Sequence, residues 1–386
     1  MRKIPVILIE KDEKNIQRIL PLLKLYSKLD SIKFSTNILD LEIVLVRKKP
    51  VVVFTGPSYG LADMEEMLNL YNNSLTSVKI VLLSNGINAE LLKNAIKLNI
   101  HDVLEYPFTE NELTASINRA AYLFNEIDTA EEKPVQSCKK VMFFSTKGGA
   151  GNTFLTVNFA AALKAKTKSE VIIYDLNYQF GDVALMLNIY PKNTIFDLVA
   201  LNKYDPETLN IFLSTHSSGV KILPSPIDPS QGETIKFVVS VNVLDALSNI
   251  SDYLIIDSPF GFSEAVLYFI EQIDYLFLVA TKDVPSVKNL KICLQLFEKL
   301  KFPAEKAFVV LNREDSKVDI ETEEIEKTIN RKIDVKIPSD RIVPVSINKG
   351  IPAVIGASRS PVSRNISKML DILLLNREKL KIQSLV

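Results

Sequence analysis

Short apolar runs alternate with helical segments along most of the chain. The runs Val6 to Ile9, Val51 to Phe54 and Lys79 to Leu83 are continuously apolar and of strand length, and each precedes a helical pattern such as Asp12 to Leu25. Continuous apolar runs are typical of parallel strands that are buried on both faces. The pattern therefore predicts an α/β fold with a doubly wound parallel sheet over residues 1–126.

The same alternation resumes after a polar interval. The apolar runs of this second part are Val141 to Phe144, Val171 to Asp175, Tyr253 to Asp257, Tyr275 to Ala280 and Ala307 to Asn312, with Ile333 to Ile337 as an edge. Between the two parts, residues 127–139 include Glu131 to Pro134 and show no apolar periodicity. We therefore predict two doubly wound parallel-sheet domains, 1–126 and 140–386, joined by a linker at 127–139.

Composition limits the classes of protein. The chain has 386 residues with 47% hydrophobic content, and Lys+Arg and Asp+Glu are equal at 46 each, so no overall positive charge favours nucleic acid. Its two cysteines and two histidines are too few and too separated for a disulfide framework or a zinc site. An early charged segment argues against a signal peptide, and no apolar stretch reaches transmembrane length. These features predict a cytoplasmic protein whose membrane contact, if any, is peripheral.

One stretch carries the strongest chemical signal. After the apolar run at Val141, three glycines fall within four residues at 148–151, and a helical pattern follows from Thr153 to Lys164. Small residues between a strand and a helix let successive backbone N–H groups point at an anion, which the helix N-terminus also attracts. As a Walker A loop the stretch has the Mg²⁺-binding hydroxyl at Thr153 but has Asn152 in place of the phosphate-pairing lysine.

Two other interpretations of this loop remain open. A dinucleotide-binding turn would run from Gly149 to Phe154, with Asp175 as the ribose carboxylate, but Phe154 is large where close helix–strand packing needs a small residue. A glycine-rich turn without a ligand is the other alternative, although three glycines carry an entropic cost that a plain turn does not need.

Two carboxylates follow apolar strands of the second domain. Asp175 ends one predicted strand and Asp257 ends another, as in a Walker B strand. Because the carboxyl ends of parallel strands lie at one edge of the sheet, we expect both to approach a Mg²⁺ that Thr153 also binds.

Several segments in this order resemble the MinD/ParA family of P-loop ATPases. Lys147 to Thr153 is similar to its deviant Walker A loop, Asp175 to Asp182 to its switch I, and Asp257-Ser258-Pro259 to its switch II. Asn312-Arg313 resembles the adenine-side pair, and Ile337-Pro338-Ser339-Asp340 resembles a C-terminal signature. The resemblance spans roughly residues 140 to 370.

The resemblance implies ATP and Mg²⁺ as ligands of a homodimer that sandwiches the nucleotide. Lys147 would reach the partner's nucleotide and Asp182 would position the attacking water, although a helix-capping role for Asp182 remains an alternative. The implied ATP-binding residues are Lys147, Gly148, Gly149, Ala150, Gly151, Asn152, Thr153, Phe154, Asn312, Arg313, Pro338 and Asp340, and the implied metal ligands are Thr153, Asp175 and Asp257. Because Asn152 replaces the phosphate-pairing lysine, we expect nucleotide binding to survive and hydrolysis to be slow or absent.

The first domain resembles a response-regulator receiver (CheY-like) domain in the order of its elements and in the segment His101 to Phe108. A receiver phosphorylates an aspartate after its third strand and uses a lysine before the Pro-Phe pair. Here Thr55-Gly56 and Tyr106 stand at those places, so we predict a pseudo-receiver with no phosphoacceptor. Glu10 and Asp12 form a partial acidic cluster, and we interpret them as solvated loop charges.

A pseudo-receiver before such an ATPase resembles the TadZ/CpaE group, which assembles and positions Tad (Flp) type pili. This resemblance implies a scaffold that contacts pilus secretion components at the cell pole or the inner membrane face. Two alternatives are an active positioning ATPase acting on membrane or DNA, and an interaction protein that binds no nucleotide. The C-terminal stretch around Met369 and Leu373, with basic residues at 377–381, predicts a last core helix, or alternatively an amphipathic membrane anchor.

Overall fold

The structure is a computed structural model that describes residues 4–24, 29–47, 49–71, 75, 77–128, 138–201, 203–316, 318 and 320–383. The chain divides into two compact units, residues 1–135 and 136–386. The predicted linker at 127–139 lies mostly outside the described residues and stays a prediction.

The first unit alternates strands and helices. Its elements are β1 (Ile4–Ile9), α1 (Glu13–Lys24), β2 (Leu29–Ser35), α2 (Asp40–Arg47), β3 (Val51–Thr55), a 3₁₀ turn (Leu61–Asp63), α3 (Glu65–Leu70), β4 (Val78–Ser84), α4 (Ala89–Lys97), β5 (Asp102–Glu105) and α5 (Glu110–Asp128). The strands form a parallel sheet in the order β2-β1-β3-β4-β5. This is the order of a flavodoxin-like doubly wound sheet.

The second unit is larger. Its elements are β6 (Lys139–Ser145), α6 (Asn152–Thr167), β7 (Val171–Asp175), α7 (Val183–Met186), α8 (Ile195–Leu201), α9 (Pro206–Phe212), β8 (Ser214–Thr215), β9 (Lys221–Leu223), α10 (Pro229–Thr234), α11 (Phe237–Asn249), β10 (Tyr253–Asp257), α12 (Glu264–Gln272), β11 (Tyr275–Thr281), α13 (Val284–Lys299), a 3₁₀ turn (Ala304–Lys306), β12 (Ala307–Asn312), α14 (Thr322–Ile329), β13 (Val335–Ile337), α15 (Ile342–Lys349), α16 (Ala353–Gly356) and α17 (Pro361–Gln383). The sheet order is β13-β12-β11-β6-β10-β7-β9-β8.

The sheet of the second unit places the glycine loop at its centre. Strand β6 lies between β10 and β11 and pairs with both in parallel, so the loop after Ser145 emerges between two other strand ends. The predicted α/β fold with parallel sheets is confirmed. One pair of strands differs from the predicted parallel sheet, since β8 is antiparallel to β9 at the sheet edge.

Aromatic packing holds α6 against this sheet. The rings of Phe143 and Phe277 stack with centroids 5.0 Å apart, and Phe159 of α6 lies 5.2 Å from Phe277. All three side chains are fully buried. Burial of rings of this size fixes the orientation of α6, and with it the position of the glycine loop at its start.

Helix α17 packs against α6 and β13. Its residues Val362, Ile366, Met369 and Leu373 are buried, which confirms the predicted core helix for that part. Because Met369 and Leu373 are used in the core, they are not free to enter a membrane. The side chains from residue 375 onward, including the predicted basic end, lie outside the described residues.

Candidate nucleotide-binding site

Two glycines give the loop a backbone that other residues rarely adopt. Gly149 has φ +75° and Gly151, which caps α6, has φ +95°. A Cβ on Gly151 would also lie 2.4 Å from the Nδ2 atom of Asn312, which donates a 2.7 Å hydrogen bond to the carbonyl of Ala150. The loop therefore needs glycine at position 151 both for its conformation and for the approach of Asn312.

Asn152 is the first residue of α6 and is buried. Its Nδ2 atom donates to the carbonyl of Phe143 at 3.0 Å, to Oδ1 of Asp257 at 2.9 Å and to the carbonyl of Ser258 at 3.3 Å. These acceptors belong to the ends of β6 and β10, so the amide group is turned toward the strand ends. The Oδ1 atom is buried and finds no hydrogen-bond partner among the residues that the structure describes.

Asp257 receives further hydrogen bonds from α6. Thr153 Oγ1 donates to Oδ2 at 2.7 Å, and Thr156 Oγ1 lies 2.9 Å from Oδ1. Burial raises the pKa of this carboxyl to about 6, and the hydrogen bonds from Thr153, Thr156 and Asn152 oppose that rise. Thr156 was missed from the sequence, although it lies one helical turn after Asn152 on the same face of α6.

Asp175 lies directly beside Asp257. The two residues are paired in register across β7 and β10, and Asp175 is also buried. Burial, followed by the repulsion from Asp257, raises the pKa of Asp175 well above its usual range. The structure therefore brings Thr153 and Asp257 into contact and places Asp175 on the adjacent strand end, as the parallel-sheet argument predicted.

This set of oxygen atoms fits Mg²⁺. Two buried carboxylates and a hydroxyl are hard oxygen donors, and a divalent cation would counter the burial and the carboxylate repulsion that together raise both pKa values. Across the described ranges, no group of three or more His, Cys, Asp and Glu side chains could hold a metal by itself. A magnesium ion here would thus depend on phosphate oxygens for the rest of its shell, as is usual for Mg²⁺ in nucleotide sites.

A cleft of about 680 Å³ opens above the loop. Its lining includes all the predicted binding residues from Gly148 to Phe154, together with Asn312, Arg313, Pro338, Asp340 and Asp182. The cleft is also lined by residues that were not among the predicted binding residues, although some of them belong to the segments that resemble switch I, switch II and the C-terminal signature: Ser145, Asn177, Phe180, Met186, Ser258, Pro259, Phe260, Ser339, Val343, Pro344 and Ile347. Arg313 Nη2 also donates to the carbonyl of Gly149 at 3.4 Å, which connects this side of the cleft to the loop.

Lys147 is not among the residues that line this cleft. Its Nζ atom lies 2.7 Å from Oδ2 of Asp283, the residue that caps α13. Burial acts to raise the pKa of Asp283, but the hydrogen bonds from Lys147, Thr281 and the N–H of Ser286 outweigh it and hold the pKa below its ordinary value. Asp283 was missed because it stands two residues beyond the end of β11.

The first unit has its own carboxylate at the strand ends. Glu10 is fully buried, with Oε1 accepting from the N–H of Asp12 at 2.8 Å and Oε2 accepting from the N–H of Ser58 at 3.1 Å. A Cβ on Gly56 would lie 2.1 Å from Oε2. The interpretation of Glu10 as a solvated loop charge is therefore wrong, because β1 and the loop after β3 enclose it.

The second unit is similar to a known family of nucleotide-binding domains. The model of the CbiA family, the CobQ/CobB/MinD/ParA nucleotide binding domain, matches residues 141–353. The septum site-determining protein MinD of Thermotoga maritima is 26% identical over 242 residues, which cover 59% of this chain and 85% of that protein.

Two solved structures are similar to the same unit. A ParA family ATPase from Chlorobium tepidum has 26% identity and a TM-score of 0.56, with 60% of this chain and 96% of that chain covered. The septum site-determining protein MinD from Pyrococcus horikoshii, complexed with Mg-ADP, has 23% identity and a TM-score of 0.53, with 60% and 93% covered, and supports the fold alone.

Within the ranges given above, no helix combines the length and apolar character needed to cross a bilayer.

The family model covers more than half of the sequence and contains the glycine loop, both strand-end aspartates and Asn312. The chain therefore belongs to the CobQ/CobB/MinD/ParA nucleotide binding domain family.

Proposed function

We propose that this protein is an ATP-binding dimeric switch and scaffold that localises and helps to assemble a Tad (Flp) type pilus secretion machine. The proposal combines a MinD/ParA-type nucleotide domain with a receiver-like first unit, the arrangement that resembles TadZ/CpaE proteins. Its partners are a second copy of the chain and components of the secretion machine, at the cell pole or the inner membrane face. It binds no specific nucleic acid, and its membrane contact is peripheral.

ATP binding is supported by the cleft and by the donors around it. The loop from Gly148 to Thr153 offers backbone N–H groups at the start of α6, where the helix end favours phosphate. Thr153, Asp175 and Asp257 would hold Mg²⁺, which would neutralise phosphate charge when bound. The Pyrococcus horikoshii MinD structure contains Mg-ADP, and we transfer this ligand class to the present chain as part of the proposal.

Slow or absent hydrolysis is the part that Asn152 supports. A lysine ammonium 4 Å from a phosphate oxygen contributes about 4 kcal/mol at an effective dielectric constant near 20, whereas a neutral amide hydrogen bond returns about 1 kcal/mol. The amide of Asn152 is moreover directed at Phe143, Ser258 and Asp257. This orientation is the single observation that carries the proposal, because an uncharged amide turned toward the strand ends supplies no cation from position 152 to the developing phosphate charge.

The active positioning ATPase acting on membrane or DNA is the second candidate. It is favoured by Asp182, which lines the cleft on the side of switch I, and by the retained contact between Thr153 and Asp257. Hydrolysis would then rest on Asp182 to position water and on Lys147 from the partner copy.

Two measurements test the proposed function. Sedimentation velocity of the full chain with Mg²⁺ and ATP should show a dimer. Its steady-state turnover of ATP should be well below the typical enzyme rate of about 1 per second or more. Cells that lack the chain should lose surface pili. Rapid turnover would favour the second candidate, and an ATP-independent monomer would contradict the switch.

A further inference from the structure

The start of α13 is connected to the glycine loop by a set of short hydrogen bonds. Thr146 Oγ1 and Ser286 Oγ lie 2.7 Å apart, and Asn289 Nδ2 donates to the carbonyl of Thr146 at 2.9 Å. Both Thr146 and Ser286 are buried. The backbone just before Lys147 is therefore fixed relative to α13, and what remains adjustable is the lysine side chain.

Asp283 is held in place independently of Lys147. Its Oδ1 atom accepts the N–H of Ser286 at 3.0 Å as the N-cap of α13, and its Oδ2 atom accepts the hydroxyl of Thr281 at 2.6 Å. Lys147 adds the charged contact at 2.7 Å, with exposed fractions of 37% for Lys147 and 32% for Asp283. A fixed carboxylate thus faces a long, partly exposed side chain that can leave by rotation of its own bonds.

We propose that Asp283 is a positioning residue that holds Lys147 within its own subunit until a second, ATP-bound copy competes for it. This inference rests on the proposed function, because Lys147 acts across the dimer there. Two such ion pairs must open for each dimer that forms. The ion pair between Lys147 and Asp283 therefore weakens dimerisation and keeps the free chain monomeric, without affecting the nucleotide cleft itself.

The substitution Asp283→Asn removes the negative charge of this side chain and keeps its size and its other hydrogen bonds. Asparagine is an equally good N-cap and can still accept the N–H of Ser286, while the hydroxyl of Thr281 can rotate to accept from the new amide. Exposed ion pairs contribute about 0.2–1 kcal/mol each, so removing two per dimer should tighten ATP-dependent dimerisation by about 2- to 30-fold. When Lys147 is already replaced by alanine, adding Asp283→Asn should no longer tighten dimerisation.

A matched control lies at the opposite end of the same strands. Asp274 pairs with Lys139 at 3.1 Å, with exposed fractions of 27% and 29%, and also accepts a backbone N–H from Lys140. Asp274→Asn removes a comparable ion pair away from the cleft and should leave dimerisation unchanged. Equal gains in Asp274→Asn and Asp283→Asn would overturn the proposal, since the effect would then be a general result of lost charge.

Two readouts separate this inference from the function on which it rests. Sedimentation of the full chains with Mg²⁺ and a non-hydrolysable ATP analogue gives the dimerisation constants. Amine acylation of the nucleotide-free chains, mapped by mass spectrometry, should label Lys147 about 1.5- to 5-fold faster in Asp283→Asn, from the same range of ion-pair energies. Unchanged labelling, or a dimerisation gain that persists without Lys147, contradicts the role of Asp283. If all chains stay monomeric with the ATP analogue while Lys147 is labelled faster in Asp283→Asn, the result contradicts the ATP-dependent dimer. The role of Asp283 in dimerisation is then contradicted as well.

Discussion

Replacing Asn152 by lysine should accelerate ATP hydrolysis. The structure places this residue at the first position of α6, on the lining of the cleft, where a longer side chain can reach toward the phosphates. The difference between the ammonium and the amide is about 3 kcal/mol, which corresponds to a ceiling of about 150-fold in rate.

Asp257 reduces this gain. Its Oδ1 atom lies 2.9 Å from the present amide nitrogen, so part of the attraction of a new ammonium group would be directed at the carboxylate. We therefore expect Asn152→Lys to raise steady-state turnover at saturating Mg-ATP by about 10- to 100-fold, below the electrostatic ceiling.

The matched control is Asn152→Met, which has similar length and no charge and should show no acceleration. Adding Lys147→Ala to Asn152→Lys should remove the gain if the partner's lysine completes the site. An Asn152→Lys variant that binds Mg-ATP as well as the native chain but hydrolyses it no faster would refute the claim that the missing cation limits turnover.

Three further changes test the structure itself. Gly151→Ala should lower thermal stability and weaken nucleotide binding, because it strains a backbone at φ +95° and crowds Asn312, whereas Gly148→Ala, with open space around its Cβ, should be milder in the same melting and binding assays. Phe277→Ala should destabilise the second unit by about 3–5 kcal/mol in denaturant titration, and a value under 1 kcal/mol would contradict the packing described. Glu170→Gln should cost less than about 1 kcal/mol at neutral pH. Burial acts to raise the pKa of Glu170, but Lys221 and Lys164 outweigh it and hold the pKa below its ordinary value. The difference in free energy of unfolding between the native chain and Glu170→Gln should therefore disappear as the pH falls through that lowered pKa. An equal difference at pH 2 would contradict this role of the two lysines.

Much of the second unit follows from local sequence signals. Continuous apolar runs specify buried parallel strands, and parallel strands bring Asp175 and Asp257 to one edge without any tertiary information. The glycine loop and the first turn of α6 follow from spacing alone. The residues from Gly148 to Phe154, which these signals predict to bind nucleotide, all line the cleft.

Other features depend on contacts that the pattern does not encode. Strand β2 was missed because it is a polar edge strand, where Phe34 is 58% exposed. The segment from α7 to α11 was missed as well, since α11 is apolar around most of its circumference and lacks a helical stripe. The burial of Glu10 and the orientation of the Asn152 amide are set by distant residues, which a periodicity argument cannot supply.

Calorimetric titration of the full native chain with ATP in the presence of Mg²⁺ tests the central claim most directly. The claim is that the loop backbone, Thr153 and the two strand-end aspartates still hold a triphosphate although the loop has Asn152 in place of lysine. We predict saturable binding of one nucleotide per chain, weakened by Thr153→Ala. A correctly folded chain that shows no saturable binding of ATP at two different temperatures would contradict the account.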